Sequence, residues 1–251
     1  MFHIVVARYQ EDLTWLFDLL DTYPEAEAYV YNDGPPISQQ HDRLHEIPGD
    51  KVPSEPTKYI TYILDHYNHN YSHRVIFLQG DPAYHNPYIC NLFKYMNQWK
   101  KDYQHLSYWA HPPPWGCAQA IADQTAPNIT SFAPDAKVWH DIMDNNFQGE
   151  FHYDIFITHI NPTKITVQDM ANYFEFIPPT IIKKTYAAMF ATTWDKIKEY
   201  SPEFWQRLHE FIITPLSQKT STAEPRMTAK QRSCFMEYLW APIFEGQAKK
   251  I

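Results

Sequence analysis

Cysteine is scarce: 251 residues hold three, Cys90, Cys117 and Cys234. An odd, scattered set gives neither a disulfide framework nor a cysteine-built zinc site, so all three are expected to be reduced and buried. Glycine is nearly as rare at 6 residues, and neither GxGxxG nor GxxxxGK[ST] occurs. That disfavours dinucleotide-dependent oxidoreduction and P-loop phosphoryl transfer. No HExxH or His-x-His pair occurs among the 13 histidines. Positive charge is short as well. A formal net charge of -8 and a pI near 5.9 argue against general affinity for nucleic acid or anionic lipid, so any phosphate must be met locally. No stretch approaches eighteen apolar residues, and MFHIVVARYQEDL has neither a basic n-region nor a long h-region. The expectation is a soluble, cytoplasmic protein with no membrane span, in which the sequons at Asn70 and Asn128 are accidental.

Aromatic residues, in contrast, are abundant at 16%, with 18 Tyr and 8 Trp. They suit half-buried core positions and stacking on sugars or bases. Residues 2 to 7 read as a strand, 11 to 21 as a helix, and 28 to 31 as a second strand ending in the turn Asn32-Asp33-Gly34-Pro35. A polar loop at 34 to 54 precedes a helix at 55 to 67, and Val75, Ile76, Phe77 and Leu78 form a short apolar run typical of a buried parallel strand. Further helices are predicted at 88 to 99, 166 to 176, from about 193, at 202 to 213 and at 230 to 244, with strands at 154 to 160 and 181 to 191. Pro112, Pro113 and Pro114 make the middle a loop. The alternation implies one α/β domain with a mostly parallel sheet.

Three strand ends carry polar groups: Ala7-Arg8-Tyr9, Asn32-Asp33 and Gln79-Gly80-Asp81. In open α/β sheets ligands bind at the carboxyl edge, so these residues define the candidate site. Asp81 precedes Pro82 and has an alternative role as a turn-capping acid. Asp81 and His85 have the donor types for a cation that also takes phosphate oxygens.

The segments VVARYQEDLTWL, VYNDG, YITYILDHY, FLQGDPAYH and AAMFATTWDKIKEYSPEFWQRL resemble, in order and spacing, a family of GT-A-like proteins. IFLQGDPAYHN and MEYLWAPIF are also similar to segments of the core-2 type β-1,6-N-acetylglucosaminyltransferases. The resemblance implies a GT-A-like sheet and an inverting transfer of sugar from a nucleotide-sugar to a glycan or glycosylated acceptor. It implies a nucleotide-sugar-binding half over residues 1 to 100 and an acceptor-binding and catalytic half over 101 to 251. Glu237 matches the catalytic base of those enzymes, although Met236 replaces the preceding Asp. Most GT-A enzymes use Mn2+ or Mg2+ through Asp-x-Asp, which is incomplete here as Gln79-Gly80-Asp81, whereas the core-2 type relatives use basic side chains and no metal. Both cofactor expectations therefore stand.

A carboxylate beside Trp240 and Tyr238 would have a raised pKa, fit for taking a proton from an acceptor hydroxyl. Arg8, Arg226, Lys230 and Arg232 are candidates to meet the diphosphate, and Lys58 and Tyr59 to reach the nucleotide. Trp109, Trp115 and Trp240 are candidates for the acceptor wall, and His111, His159 and Asp154 are weaker candidates for metal or acceptor. A non-catalytic glycan-binding protein and a metal-dependent hydrolase are the competing classes.

Overall fold

The computed structural model describes residues 1–52, 54–86, 89–99, 102–107, 149–152, 176–177, 181–184, 188–213, 229–245 and 249–250. Strand β1 (Phe2–Arg8) alternates its side chains between two buried faces. Phe2, Ile4 and Val6 join one apolar cluster, Val5 and Ala7 the other. That period of two explains why a strand buried on both faces reads as a continuous apolar run. Helix α1 (Thr14–Thr22) buries Leu16, Phe17 and Leu20 against the first face. Strand β2 (Ala26–Asn32) then pairs in parallel with β1, Phe2 opposite Ala26 through to Arg8 opposite Asn32.

Strand β3 (Leu44–Pro48) lies within the segment expected to be a loop. It pairs in parallel with β2 at the sheet edge, where an inner neighbour and not an apolar pattern stabilises it. Its residues are exposed or half-buried, so periodicity gave no signal, and Pro48 is tolerated at an edge. Helix α2 (Glu55–His66) covers the second face through Tyr59, Ile60 and Ile63. Strand β4 (Arg74–Gln79) returns on the far side of β1, parallel to it, with Ala7 opposite Gln79.

A short helix α3 (Pro82–His85) follows, then α4 (Ile89–Leu92), a 3-10 turn (Phe93–Gln98) and β5 (Tyr103–His105). The helix expected over 88 to 99 is thus a short α-helix followed by a tighter 3-10 turn. Strands β6 (Gly149–His152) and β8 (Ile181–Lys184) pair antiparallel, as do β7 (Phe176–Ile177) and β10 (Lys249–Lys250). The strand expected over 181 to 191 is two strands, β8 and β9 (Phe190–Thr193). Strand β9 enters antiparallel between β4 and β5, giving the order β3-β2-β1-β4-β9-β5. The fold is an α/β type with a mixed sheet of six strands flanked by helices, less parallel than the sequence implied.

Helices α5 (Trp194–Ile197), α6 (Pro202–Ile213) and α7 (Ala229–Phe244) complete the second face. Trp205, Leu208 and Phe211 of α6 and Met236, Leu239 and Trp240 of α7 join Tyr59, Phe77 and Phe190 in one cluster. Fourteen aromatic side chains are buried in this cluster, in tilted and stacked pairs such as Phe190 and Trp240 at 5.1 Å. Among the described residues no helix is long and apolar enough to cross a membrane.

Candidate functional site

From β1 the chain moves to β2 and β3 on one side, then crosses to β4 on the other, with α1 and α2 on opposite faces. This reversal is a topological switch point at the carboxyl ends of β1 and β4, the edge where such sheets take ligands. The register sets Arg8 beside Asn32 and Ala7 beside Gln79, so the three predicted strand ends share one edge. Tyr9 is 60% exposed there.

Arg8 is a hub rather than a free cation. Its Nη1 donates to Asn32 Oδ1 and to the Pro35 carbonyl, each at 2.7 Å, and its Nε to the Glu11 carbonyl at 3.0 Å. Asn32 Nδ2 donates onward to Glu46 Oε1 at 2.6 Å, and Glu46 accepts from the Ile37 N–H. The network fixes the turn after β2. Gly34 is required in that turn, because a Cβ would lie 1.2 Å from the Tyr9 carbonyl oxygen.

Lys58, expected to reach a nucleotide, is instead paired inside the protein. Its side chain is 3% exposed, and its ammonium pairs with Asp33 Oδ2 at 2.6 Å, with Asp50 and with the Val52 carbonyl. Burial alone would raise the Asp50 carboxyl, but hydrogen bonds from Lys58 and the Val52 N–H outweigh it and leave the pKa lowered. Asp33 Oδ1 also accepts from the Lys51 N–H at 2.8 Å. Asp33 and Lys58 therefore pin residues 49 to 52 to the end of β2. Lys58→Met would strand two carboxylates and is expected to cost about 3 kcal/mol. Urea denaturation measures this, and a loss below about 1 kcal/mol would show the clamp to be dispensable.

Tyr59 and Trp240, expected at the nucleotide and the acceptor, are core residues instead. Both are fully buried, with ring centroids 6.3 Å apart in the core, so neither walls an open ligand site. Helical period predicted the buried face of α2 but not that this tyrosine lies wholly inside it. Cys90, expected to be buried, is exposed.

Asp81 is exposed and caps α3, its Oδ1 accepting from the Tyr84 N–H at 3.3 Å. Both readings of this residue are thus compatible, since a cap uses one oxygen. Burial lowers the His85 pKa, and the Asp81 charge opposes that shift, which places the two side chains within electrostatic reach. Among the described residues no group of three or more His, Cys, Asp or Glu comes together as a metal-binding set.

Helix α7 is tied to the same edge. Ser54, just before α2, donates from Oγ to Ser233 Oγ at 2.9 Å, and both residues are buried. Glu237 follows Ser233 by one turn. The described residues include the backbone, but not the side chains, of Glu237, Lys230 and Arg232. Arg226, Trp109, Trp115, His111, Asp154 and His159 lie outside the described residues.

The family described as Protein of unknown function (DUF3431) matches residues 4–251. The chain belongs to the DUF3431 family. No curated protein and no solved structure matches it.

Two residues at the edge escaped the sequence reading. Glu11, expected in the first turn of a helix, lies before α1 and turns back, its Oε2 accepting from the N–H groups of Tyr9 at 2.7 Å and Gln10 at 3.0 Å. Trp15 Nε1 donates to the Gly80 carbonyl at 3.0 Å. The available signal was proximity in sequence to the end of β1, but helix periodicity absorbed both residues.

Proposed function

We propose that this protein is a glycosyltransferase of GT-A-like architecture, moving a sugar from a nucleoside diphosphate donor to a glycan or glycosylated acceptor. The observation that carries the reading is the convergence of β1, β2, β4 and the start of α7 on one sheet edge. Four parallel strands in the order β3-β2-β1-β4, with the reversal beside β1, support a nucleotide lying across that edge. Exposed Tyr9 offers a face for the base, and Asp81 stands at that edge for the diphosphate end.

In the proposed reaction the acceptor hydroxyl oxygen attacks the anomeric carbon while Glu237 takes its proton. The bond from that carbon to the donor phosphate oxygen breaks, its electron pair leaves with the nucleoside diphosphate, and the configuration inverts. Lys230 and Arg232 lie in the first turn of α7, where the helix N-terminus adds to their attraction for the leaving anion. Arg226 lies a few residues before that turn and is proposed to join them. Asp81 and His85 would supply two donors for Mn2+ or Mg2+, an ion that would neutralise charge on the departing diphosphate, and the described residues bring no further His, Cys, Asp or Glu to complete the set.

A thermal-shift series with uridine, guanosine, adenosine and cytidine diphosphates, each with and without manganese, tests the reading. One base is expected to raise the melting temperature, since ligand at a hundred times its Kd adds about 2.7 kcal/mol. Dependence of that shift on manganese reports the metal. If a folded sample responds to none of them and turns over no nucleotide-sugar, the reading fails. Binding without turnover would favour the non-catalytic class.

A further inference from the structure

The loop after β1 aims two consecutive backbone N–H groups, those of Tyr9 and Gln10, at a single oxygen, and that oxygen belongs to the chain's own Glu11. Converging amides of this kind form an anion seat. Its position is the switch point, where open α/β sheets bind the charged part of a nucleotide. Two further contacts show that the space around the carboxylate is shaped for it. Gly80, at the end of β4, has no Cβ, and one placed there would lie 2.6 Å from Glu11 Oε2. Trp15, from α1, holds the Gly80 carbonyl in place through its indole N–H at 3.0 Å. The seat is open to solvent, with Tyr9 and Gln10 both exposed and Glu11 half-buried.

We infer that Glu11 is an internal placeholder for a phosphate group: in the unliganded protein its carboxylate fills an anion seat that a donor diphosphate takes over. Binding exchanges one anion for another on the same two N–H groups, and Glu11 swings out to solvent. The exchange leaves neither N–H without an acceptor in either state. It also costs affinity, because a carboxylate on a short tether competes at high effective concentration and repels the incoming charge. This inference deepens the proposed function and rests on it for the identity of the ligand. The seat itself rests on the geometry alone.

Glu11→Gln is the decisive variant. Its amide oxygen can still accept from both N–H groups and hold the loop, but it carries no charge. Isothermal titration with inorganic pyrophosphate, and then with the nucleoside diphosphate that gives the largest thermal shift, is expected to show about tenfold tighter binding than the parent protein. Glu11→Ala should bind at least as tightly as the parent, and if it does not fold, the glutamine variant decides. Asp12→Asn is the control. It removes the same charge one residue away while keeping the amide-to-side-chain cap of Thr14, and should shift affinity less than twofold. Equal gains in the Glu11→Gln and Asp12→Asn proteins would reduce the effect to general electrostatics and overturn the placeholder. Unchanged or weaker pyrophosphate binding by Glu11→Gln would overturn it too. Tighter pyrophosphate binding without turnover of any nucleotide-sugar would sustain the seat and sink the glycosyltransferase reading. Turnover with no response to Glu11→Gln would do the reverse.

Discussion

Glu237→Gln is expected to lower sugar transfer by about 10²- to 10⁴-fold while leaving nucleoside diphosphate binding nearly unchanged. The amide is isosteric with the acid but cannot take a proton, so the loss should fall on kcat and spare the donor's KM. Glu237 sits in α7 one turn beyond Ser233, whose buried hydrogen bond to Ser54 anchors that helix at the carboxyl edge. The adjoining Met236, Leu239 and Trp240 are fully buried, so the backbone at 237 is carried by a rigid part of the core. That rigidity suits a group that must be held within reach of a reacting hydroxyl. Single-turnover assays of the folded variant measure the effect. A variant that keeps more than about half the parent rate would remove Glu237 from the mechanism.

The second large effect is loss of stability in mild acid. Five histidines, His3, His45, His66, His69 and His73, gather with Tyr29, Tyr62 and Tyr71 at the amino ends of the parallel strands, opposite the candidate site. His3 is fully buried and lies 3.9 Å from the His73 ring, centroid to centroid, with its Nδ1 against the Tyr62 hydroxyl. Burial, then the neighbouring histidines and the chain amino group, lower the His3 pKa to about 3. Burial, then the amino group, lowers His73 to about 4. His105, in β5, is lowered to about 3 by burial alone. Glu27 lies 3.8 Å from His3 and 3.6 Å from His45, and Asp65 acts on His66, but neither offsets the burial that lowers His3 and His66.

The sign follows from linkage. The folded state refuses protons that the unfolded chain accepts below about pH 6.5, so stability is complete above that pH and falls as pH drops. Each fully excluded histidine costs about 1.4 kcal/mol per pH unit, until its folded-state pKa is reached. His3 and His105 together cost about 3 kcal/mol per unit, a large share of a total stability of about 5–15 kcal/mol. Cooperative unfolding is therefore expected near pH 5, and the melting temperature should fall steadily from pH 7. Replacing His3 by Gln should flatten the slope by about one proton's worth. Circular dichroism melts across pH 7.5 to 4.5 check this, and a melting temperature independent of pH over that range would refute it.

How much of this was legible in the sequence differs by element. Helix α6 starts and ends where its apolar spacing and Pro202 place it, because a two-sided pattern over twelve residues is a local property. The strand β1, the helix α2 and the run at β4 were legible for the same reason, and with them the shared edge of Arg8, Asn32 and Asp81. Strand β3 was not, since its pairing with β2 supplies what its own residues lack. Lys58 illustrates the harder failure. A lysine at a helix start beside a ligand edge has the right chemistry, but two acids from separate loops, Asp33 and Asp50, close on it and take its charge inside.

By itself, then, the amino-acid sequence determined the α/β alternation, the apolar faces and the polar strand ends, because these depend on neighbours one turn or one pleat away. Only the tertiary structure decided that β9 runs antiparallel into the sheet, that Tyr59 and Trp240 are core, and that His3, His45 and the histidines of 66 to 73 share one end of the sheet. Each of those outcomes depends on which remote groups meet. Burial and charge pairing are properties of the assembled surface, and no window of sequence contains both partners.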